Sequence, residues 1–421
     1  SKMQFRRATE ADRKSIEALW AYCFEKPDEP FFQWYFSRAC HMDDVVVAEE
    51  NQHIAADLHL RPYTLYLRGN SMPVDYMVGV ATHPAARGRG IASKLLKNAF
   101  RISRSRGKSA VILMPSEASF YMPLGCSFYV QQWERSAAPE WLARIGEKPE
   151  KAMTVSSPDE WHILASVYEK FTERRNGFTQ RDEKTWRTFI EGQLNEGYIA
   201  VTGDETGPIG YLCYGMDGRR LIANEMAYSS DRGRRGLYAF MAGHRGSIDR
   251  CIWYEPLDDC SFYYWPNGAE HIYIENRTFP FMMARITDPV GVIDGLPCEK
   301  QIHGEYSFQL VDPVLSENNG IYMIRAEDGA IHALQDDIFY KLRLHIEDTS
   351  GIDLGNHIPE PSFCMNVNTL AELVFGTSDF NELLKRNQIT WLTKDEVVKE
   401  KISRFMMGIL PEKDNWIAEW Y

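Results

Sequence analysis

The chain has 421 residues, 44% of them hydrophobic and 25% charged, and 47 basic against 59 acidic side chains leave a formal net charge of −12. That length exceeds one ordinary domain and sets an expectation of two or three. The acidic balance argues against nucleic acid as the main partner and is compatible with a cationic substrate. No apolar run approaches the roughly 18 residues of a membrane span. The opening "SKMQFRRATEAD" lacks the apolar stretch of a signal peptide. A cytoplasmic protein with no membrane partner is therefore expected. The eight cysteines are scattered, with no CxxC pair and no metal-like Cys/His spacing, which predicts reduced, mostly buried thiols and no metal site.

In chain order, "MQFRRA" (3–8) predicts a short strand. Thr9 and Asp12 then have the spacing of a capping box, and Ile16, Leu19, Trp20 and Cys23 follow on one helical face. Valine- and tyrosine-rich runs across 45–82, separated by turn residues, predict antiparallel strands. Residues 90–105, "GIASKLLKNAFRISRS", predict an amphipathic helix, and "SAVILMP" (109–115) a buried strand. The plan restarts near 151. Ser157, Pro158 and Glu160 predict a capped helix start. "GYIAVTG", "IGYLCYG" and "LIANEMAYSS" read as strands, "GLYAFMAGHRGSID" (236–249) as a helix and "CIWYEP" as a further strand. Two copies of one α/β plan are thus expected, over 1–145 and 150–288, matched in element order rather than in identity. From 289 to 421 the strands "GEYSFQLVDP" and "GIYMIRAE" precede "NTLAELVFG" and "TKDEVVKEKISRFMMG". Thr369 with Glu372, and Thr393 with Glu396, have capping-box spacing, and Gly376 and Gly408 sit where helices stop. A third, α+β domain is predicted, ending in "DNWIAEWY".

The stretch richest in chemistry is "VGVATHPAARGRGIASKLL" (78–96). A strand runs through Val80 and Thr82 into a turn at Pro84, and Arg87-Gly88-Arg89-Gly90-Ile91-Ala92 opens a helix. Glycines at 88 and 90 let the backbone turn tightly and approach a ligand. The helix start offers unpaired N–H groups and partial positive charge, to which Arg87 and Arg89 add formal charge. The result is a pyrophosphate cradle. Its spacing is neither GxGxxG nor a P-loop, which disfavours a dinucleotide or a nucleoside triphosphate.

This loop resembles motif A of the GCN5-related N-acetyltransferases, Arg/Gln-x-x-Gly-x-Gly/Ala, with Arg87, Gly90 and Ala92 in the matching places. The resemblance implies acetyl-CoA as co-substrate, and a splayed strand whose Val80 and Thr82 amides hold pantetheine and polarise the thioester carbonyl. Downstream, "PSEASFYMPLGCSFY" (115–129) looks like the segment that carries the general acid, which assigns that part to Tyr121. The bland alternative is an aromatic packed beside a turn. Cys126 has no activating His or Asp nearby and reads as packing. In the second copy, "MAYSSDRGRRGLYAF" has Gly233 where the arginine belongs and Tyr238 where a small residue admits the cofactor, so that half is read as degenerate, with surface or interdomain arginines.

Domain order and length resemble the Eis (enhanced intracellular survival) acetyltransferases, whose third domain is similar to sterol carrier proteins. That resemblance implies α/β and α+β domains in tandem, a small cationic amine as substrate (aminoglycoside, polyamine or lysine-like), a hexamer, and a terminal carboxylate, here that of Tyr421, as general base. Glu25, Asp28, Glu29, Phe31 and Trp34, with Tyr35, are candidate substrate contacts, against the alternative of a capped loop with solvated acids and core aromatics. Glu419 stands one position further from the end than the family's acidic residue, which puts aminoglycoside handling in doubt. Two rival readings are a lipid- or peptide-binding protein with a vestigial CoA loop and a Fem-type aminoacyl transferase.

Overall fold

The computed structural model describes residues 2–336 and 360–421. Its contacts divide into two compact units. The first holds Ser1–Ala8, Asp44–Val130 and Phe281–Asn415, and the second Thr9–Asp43, Gln131–Pro280 and Trp416–Tyr421.

In the first unit, β1 (Gln4–Arg7), β2 (Val45–Glu50), β3 (His53–Leu67) and β4 (Asn70–Thr82) pair antiparallel in that order. The intervening α1 (Arg13–Cys23) and α2 (Pro30–Trp34) belong to the second unit. α1 follows the Thr9 turn, where the Thr9 N–H donates to Asp12 at 2.8 Å, and it buries Ile16, Leu19 and Trp20. After β4 come α3 (Ile91–Ser105), β5 (Ala110–Leu113) parallel to β4, and the short α4 (Ala118–Tyr121). α3 buries Ile91, Leu95, Leu96, Ala99 and Phe100 against Val46, Leu58, Leu60 and Val111 of the sheet. That i, i+4, i+5, i+8, i+9 spacing is an apolar helical stripe.

The second unit takes up the chain within β6 (Ser127–Ala137) and repeats the plan. Its strands are β7 (Lys151–Thr154), β8 (Tyr198–Asp204), β9 (Gly207–Asp217), β10 (Arg220–Tyr228) and β11 (Arg250–Pro256), in sheet order β6-β11-β10-β9-β8-β7. Only β10 and β11 are parallel in this set. Its longer helices within this repeat are α5 (Trp161–Thr172), α6 (Glu183–Glu196) and α7 (Asp231–Ala242). Ser157 accepts from the Asp159 N–H, while Glu160 reaches back to Ser156 rather than Ser157, so a 3-10 turn over Pro158–Glu160 precedes α5.

The chain re-enters the first unit within β12 (Ile274–Ile286), whose last residues pair antiparallel with β5. A five-stranded sheet follows, in order β15-β14-β13-β16-β17: β13 (Gly304–Val311), β14 (Gly320–Glu327), β15 (Ala330–Gln335), β16 (Phe363–Asn366) and β17 (Thr390–Trp391). With it go α8 (Val367–Phe375) and α9 (Glu396–Ile409). Both helices start differently from the capping-box expectation. Asn366 caps α8 by accepting from the Thr369 N–H, and Asp395 caps α9 by accepting from Val397 and Val398. In each case a side-chain oxygen immediately before the helix is the cap, while Thr369 lies inside α8 and Thr393 two positions ahead of Asp395. Gly376 ends α8 in the left-handed region, at φ 75°, as expected. Gly408 instead lies inside the last turn of α9, where an added Cβ would stand 3.0 Å from Ile302.

Candidate active site

The ladder between β4 and β5 is confined to Val74–Tyr76 against Ala110–Ile112, while β4 runs on to Thr82. On its other edge β4 carries one extra residue against β3, between Val78 and Ala81, with Gly79 at φ 63°. Such a bulge bends a strand and re-aims it. The His83 N–H donates to the Ala55 carbonyl on β3 at 2.8 Å. Successive strand residues present their amides to opposite sides. The Thr82 N–H therefore points away from β3, to the side that β5 has left, and Val80 lies within the bulge itself.

The loop beyond is held by His83, whose Nδ1 accepts from the Ala85 N–H, and by Arg87, whose Nε donates to the Thr82 carbonyl at 3.4 Å. Gly88 and Gly90 adopt φ 79° and 71°, and a Cβ built on either would meet open space. Gly90 opens α3 with no side-chain cap, and the first turn carries no acidic residue. Three helix amides are thus left without an intrahelical acceptor beside an exposed Arg87. Arg89, also exposed, pairs with Glu50 at 2.7 Å. Ala92 keeps the surface over the first turn low. This geometry fits the pyrophosphate and pantetheine of acetyl-CoA: uncapped amides for the phosphates, and strand amides for the thioester arm.

Tyr121 ends α4 and lies in the core beside Ala118, Leu124 and Cys126, 8% exposed, with its ring edge-on to Phe120. Burial first, and Cys126 second, push its phenol above the ordinary value. Its hydroxyl makes no hydrogen bond among the described residues. Burial drives the Cys126 thiol up to about 12, so it is a poor nucleophile.

The turn after Tyr121 is tied down by remote side chains. Gly125 sits at φ 94°, and a Cβ there would come within 2.8 Å of the Arg285 guanidinium. Arg285 Nε donates to the Leu124 carbonyl at 2.9 Å, and its two terminal nitrogens bind Asp312 at 2.8 and 2.5 Å. Burial works to raise the Asp312 carboxyl, yet the Arg285 hydrogen bonds and charge, with Asn318, hold it below its usual range. From α8, the Asn368 side-chain amide donates to the Met122 and Cys126 carbonyls at 3.0 and 2.9 Å.

The substrate candidates lie in the second unit. Glu25 accepts from the Trp20 indole at 2.7 Å. Glu29 accepts from the Lys26 N–H at 3.2 Å, so it also caps its own loop, and Asp28 is exposed. Glu196, at the end of α6, has its carboxyl raised by burial first and by the charges of Glu25 and Glu29 next, which brings three carboxylates together. Phe31 stacks on Trp20 and Tyr35, and Trp34 packs on Gly192. The Tyr421 ring stands edge-on to Trp20, Phe31 and Tyr35 at centroid distances of 6.1, 5.9 and 6.4 Å.

The apolar side chains of the tail anchor it, but sequence reasoning missed the partners that receive them. Trp416 packs on Tyr168 and Phe171, and the Trp420 indole donates to the Asn224 carbonyl. Glu419 is buried and accepts from Thr179 and from Arg181 at 2.8 and 3.0 Å. Arg181 is bidentate to Glu225 at 2.8 Å and boxed by Tyr168, Trp186 and Phe189. Among the described residues no cluster of three His, Cys, Asp or Glu could hold a metal. None of their helices is long and apolar enough to cross a membrane.

Comparison with known proteins agrees with this geometry. The acetyltransferase (GNAT) domain family matches residues 4–129, a second acetyltransferase (GNAT) domain family matches 177–286, and the sterol carrier protein domain family matches 290–418. No curated protein matches the chain in sequence. Solved structures share its fold from end to end. A probable N-acyltransferase of unknown function from Enterococcus faecalis has TM-score 0.82 and 16% identity, covering 100% of both chains. A GCN5-related N-acetyltransferase from Anabaena variabilis has TM-score 0.79 and 15% identity, and Eis1 from Mycobacterium abscessus 0.69 and 13%, again over 100% of each chain. Tandem acetyltransferase domains followed by a sterol carrier domain define an enzyme that draws acetyl groups from acetyl-CoA. The chain carries two GCN5-related N-acetyltransferase domains and a sterol carrier protein domain, and its fold is similar to that of Eis1.

Proposed function

We propose that the enzyme moves acetyl directly from acetyl-CoA to a primary amine of a small cationic substrate, an aminoglycoside, a polyamine or a lysine-like amine. The observation that carries this reading is the uncapped, glycine-opened start of α3 beside the bulged end of β4 that holds Val80 and Thr82. Acetyl-CoA supplies the activated thioester. Arg87, Gly88, Arg89, Gly90 and Ala92 receive its pyrophosphate, and Val80 and Thr82 donate to the carbonyl as charge builds on oxygen.

An alkylammonium with a pKa near 10.4 must lose a proton before it attacks. The terminal carboxylate of Tyr421 is assigned as the acceptor, directly or through a water. The amine nitrogen bonds to the carbonyl carbon, the carbon–sulfur bond breaks, and the Tyr121 hydroxyl delivers its proton to the thiolate. Burial supports that role by keeping the phenol protonated at neutral pH. The carboxylates of Glu25, Glu29 and Glu196, with the faces of Trp20 and Phe31, suit an ammonium and its alkyl stem.

The test is CoA-thiol release over a panel of polyamines, aminoglycosides and lysine peptides. Tyr121→Phe is expected to lower kcat about 10²-fold or more. A chain lengthened by one glycine after Tyr421 should be severely impaired, while Tyr421→Phe should stay close to wild type. Unchanged turnover after extension removes the terminal carboxylate from the mechanism. Calorimetry separates the rival binding-protein reading, because a vestigial loop would not take up acetyl-CoA. The family resemblance extends to a hexamer, which light scattering in solution checks.

A further inference from the structure

The turn that leaves Tyr121 has an unusual support. It borders a cavity of about 550 Å³ lined by Met122, Pro123 and Cys126 on one side and by Asn366, Thr369 and Glu372 on the other. A loop that faces a cavity lacks close-packed neighbours there, so discrete hydrogen bonds must fix its position. Within the turn, the Gly125 N–H donates to the Met122 carbonyl and the Cys126 N–H to the Tyr121 carbonyl, at 3.1 and 3.3 Å. Asn368 closes the same ring from outside by bridging the Met122 and Cys126 carbonyls. One amide thus spans both ends of the segment that begins at Tyr121.

We infer that Asn368, a residue of the sterol carrier domain, is a positioning residue for the Tyr121 hydroxyl. The third domain then takes part in the chemistry by setting where the proton donor stands, in addition to any contribution to folding. Arg285 backs the turn from the opposite side through the Leu124 carbonyl. It is a less useful probe, because its removal would leave Asp312 buried without its cation. Asn368 is neutral and partly exposed, so its truncation leaves no buried charge. The inference rests on Tyr121 serving as general acid.

The experiment is a double-mutant cycle on the full chain with acetyl-CoA and the best amine of the panel. Asn368→Ala is expected to lower kcat ~10-fold or more, since displacing a catalytic group by about 1 Å costs up to ~10²-fold. The dissociation constant of acetyl-CoA should stay within about twofold, because the α3 loop is untouched. Asn368→Gln, which keeps the donor amide, should recover part of the loss. In a Tyr121→Phe background, Asn368→Ala should cost little further, because the group it positions has gone. Equal losses in both backgrounds, or a fall in acetyl-CoA affinity matching the fall in kcat, would overturn the inference while leaving Tyr121 in its role. A Tyr121→Phe enzyme with unchanged kcat would overturn the general-acid reading itself, and the inference with it.

Discussion

The two acetyltransferase domains place a helix after the same splayed strand and then treat its start in opposite ways. In the first, Gly90 leaves α3 uncapped, with no acid in the first turn and open space over both glycines. In the second, the residues written Arg-Gly-Arg-Arg-Gly are helical. Ser230 caps α7 by accepting from the Gly233 N–H, and Asp231 sits in the first turn. A Cβ on Gly233 would stand 2.1 Å from the Ile209 carbonyl oxygen, so the helix end lies directly on β9. The Tyr238 phenol and the Trp253 indole donate to Glu255, which pairs with Arg135. The bulge of β10, between Ala223 and Glu225, holds the carboxylate that binds Arg181, which in turn binds Glu419. One plan leaves its amides uncapped, and the other spends them on itself. A fold shared between two domains therefore says little about which of them binds cofactor, and the cap of one helix says much.

Several changes would break or sharpen this contrast. The largest effect is expected at Arg181. Arg181→Ala leaves Glu225 and Glu419 buried without their cation and should destabilise the second unit by about 3–5 kcal/mol, read from denaturant unfolding. A loss below about 1 kcal/mol would show that the bulge of β10 has no such job. Next comes Gly90→Asp, which gives α3 the acidic start of α7 and places a Cβ at φ 71°. Acetyl-CoA should then bind ~10²-fold more weakly by calorimetry, about 2.7 kcal/mol; full affinity would mean that the open helix start is not the phosphate site.

A pH effect of intermediate size belongs to the first unit. Buried His59 on β3 is held neutral, its pKa lowered from 6.5 to about 3 by burial and then by the charge of Arg61. The unfolded chain takes up the proton first. The contribution of His59 is whole above pH 6.5 and declines by about 1.4 kcal/mol per pH unit as the pH falls toward 3. His59→Gln should flatten that part of the stability profile. The smallest effect is expected at Arg232 and Arg235, whose partners Glu150 and Glu147 are on the surface. Alanine at either should leave acetyl-CoA affinity unchanged and stability within about 0.5 kcal/mol.

Much of the acetyltransferase plan could be read from sequence because its determinants are local. Arg87, Gly88 and Gly90 lie within four positions, and left-handed backbone at a helix entrance leaves few residue choices. In the second half the departures from motif A, Gly233 and Tyr238, are local in the same way. The glycine-rich run predicts a helix only from Gly236 to 249, whereas it spans Asp231–Ala242, because Ser230 caps it ahead of the glycines. The supports of the site were hidden. Arg181 and Glu419 are separated by 238 positions, Met122 and Asn368 by 246. No periodicity or spacing links such partners. The meeting of Glu196 with Glu25 and Glu29 was equally out of reach, since these acids come from distant parts of the chain.

The aromatic packing around the tail also has an optical consequence. Ten of the eleven tryptophans belong to the second unit, and Trp391 alone lies in the first. Emission on unfolding will be dominated by that one unit, and Trp416 and Trp420 place two of its emitters on the tail itself. Far-ultraviolet dichroism sees the backbone of both. If the two signals melt at different temperatures, the gap measures how independently the units unfold, and each variant above can be assigned to its unit without a label.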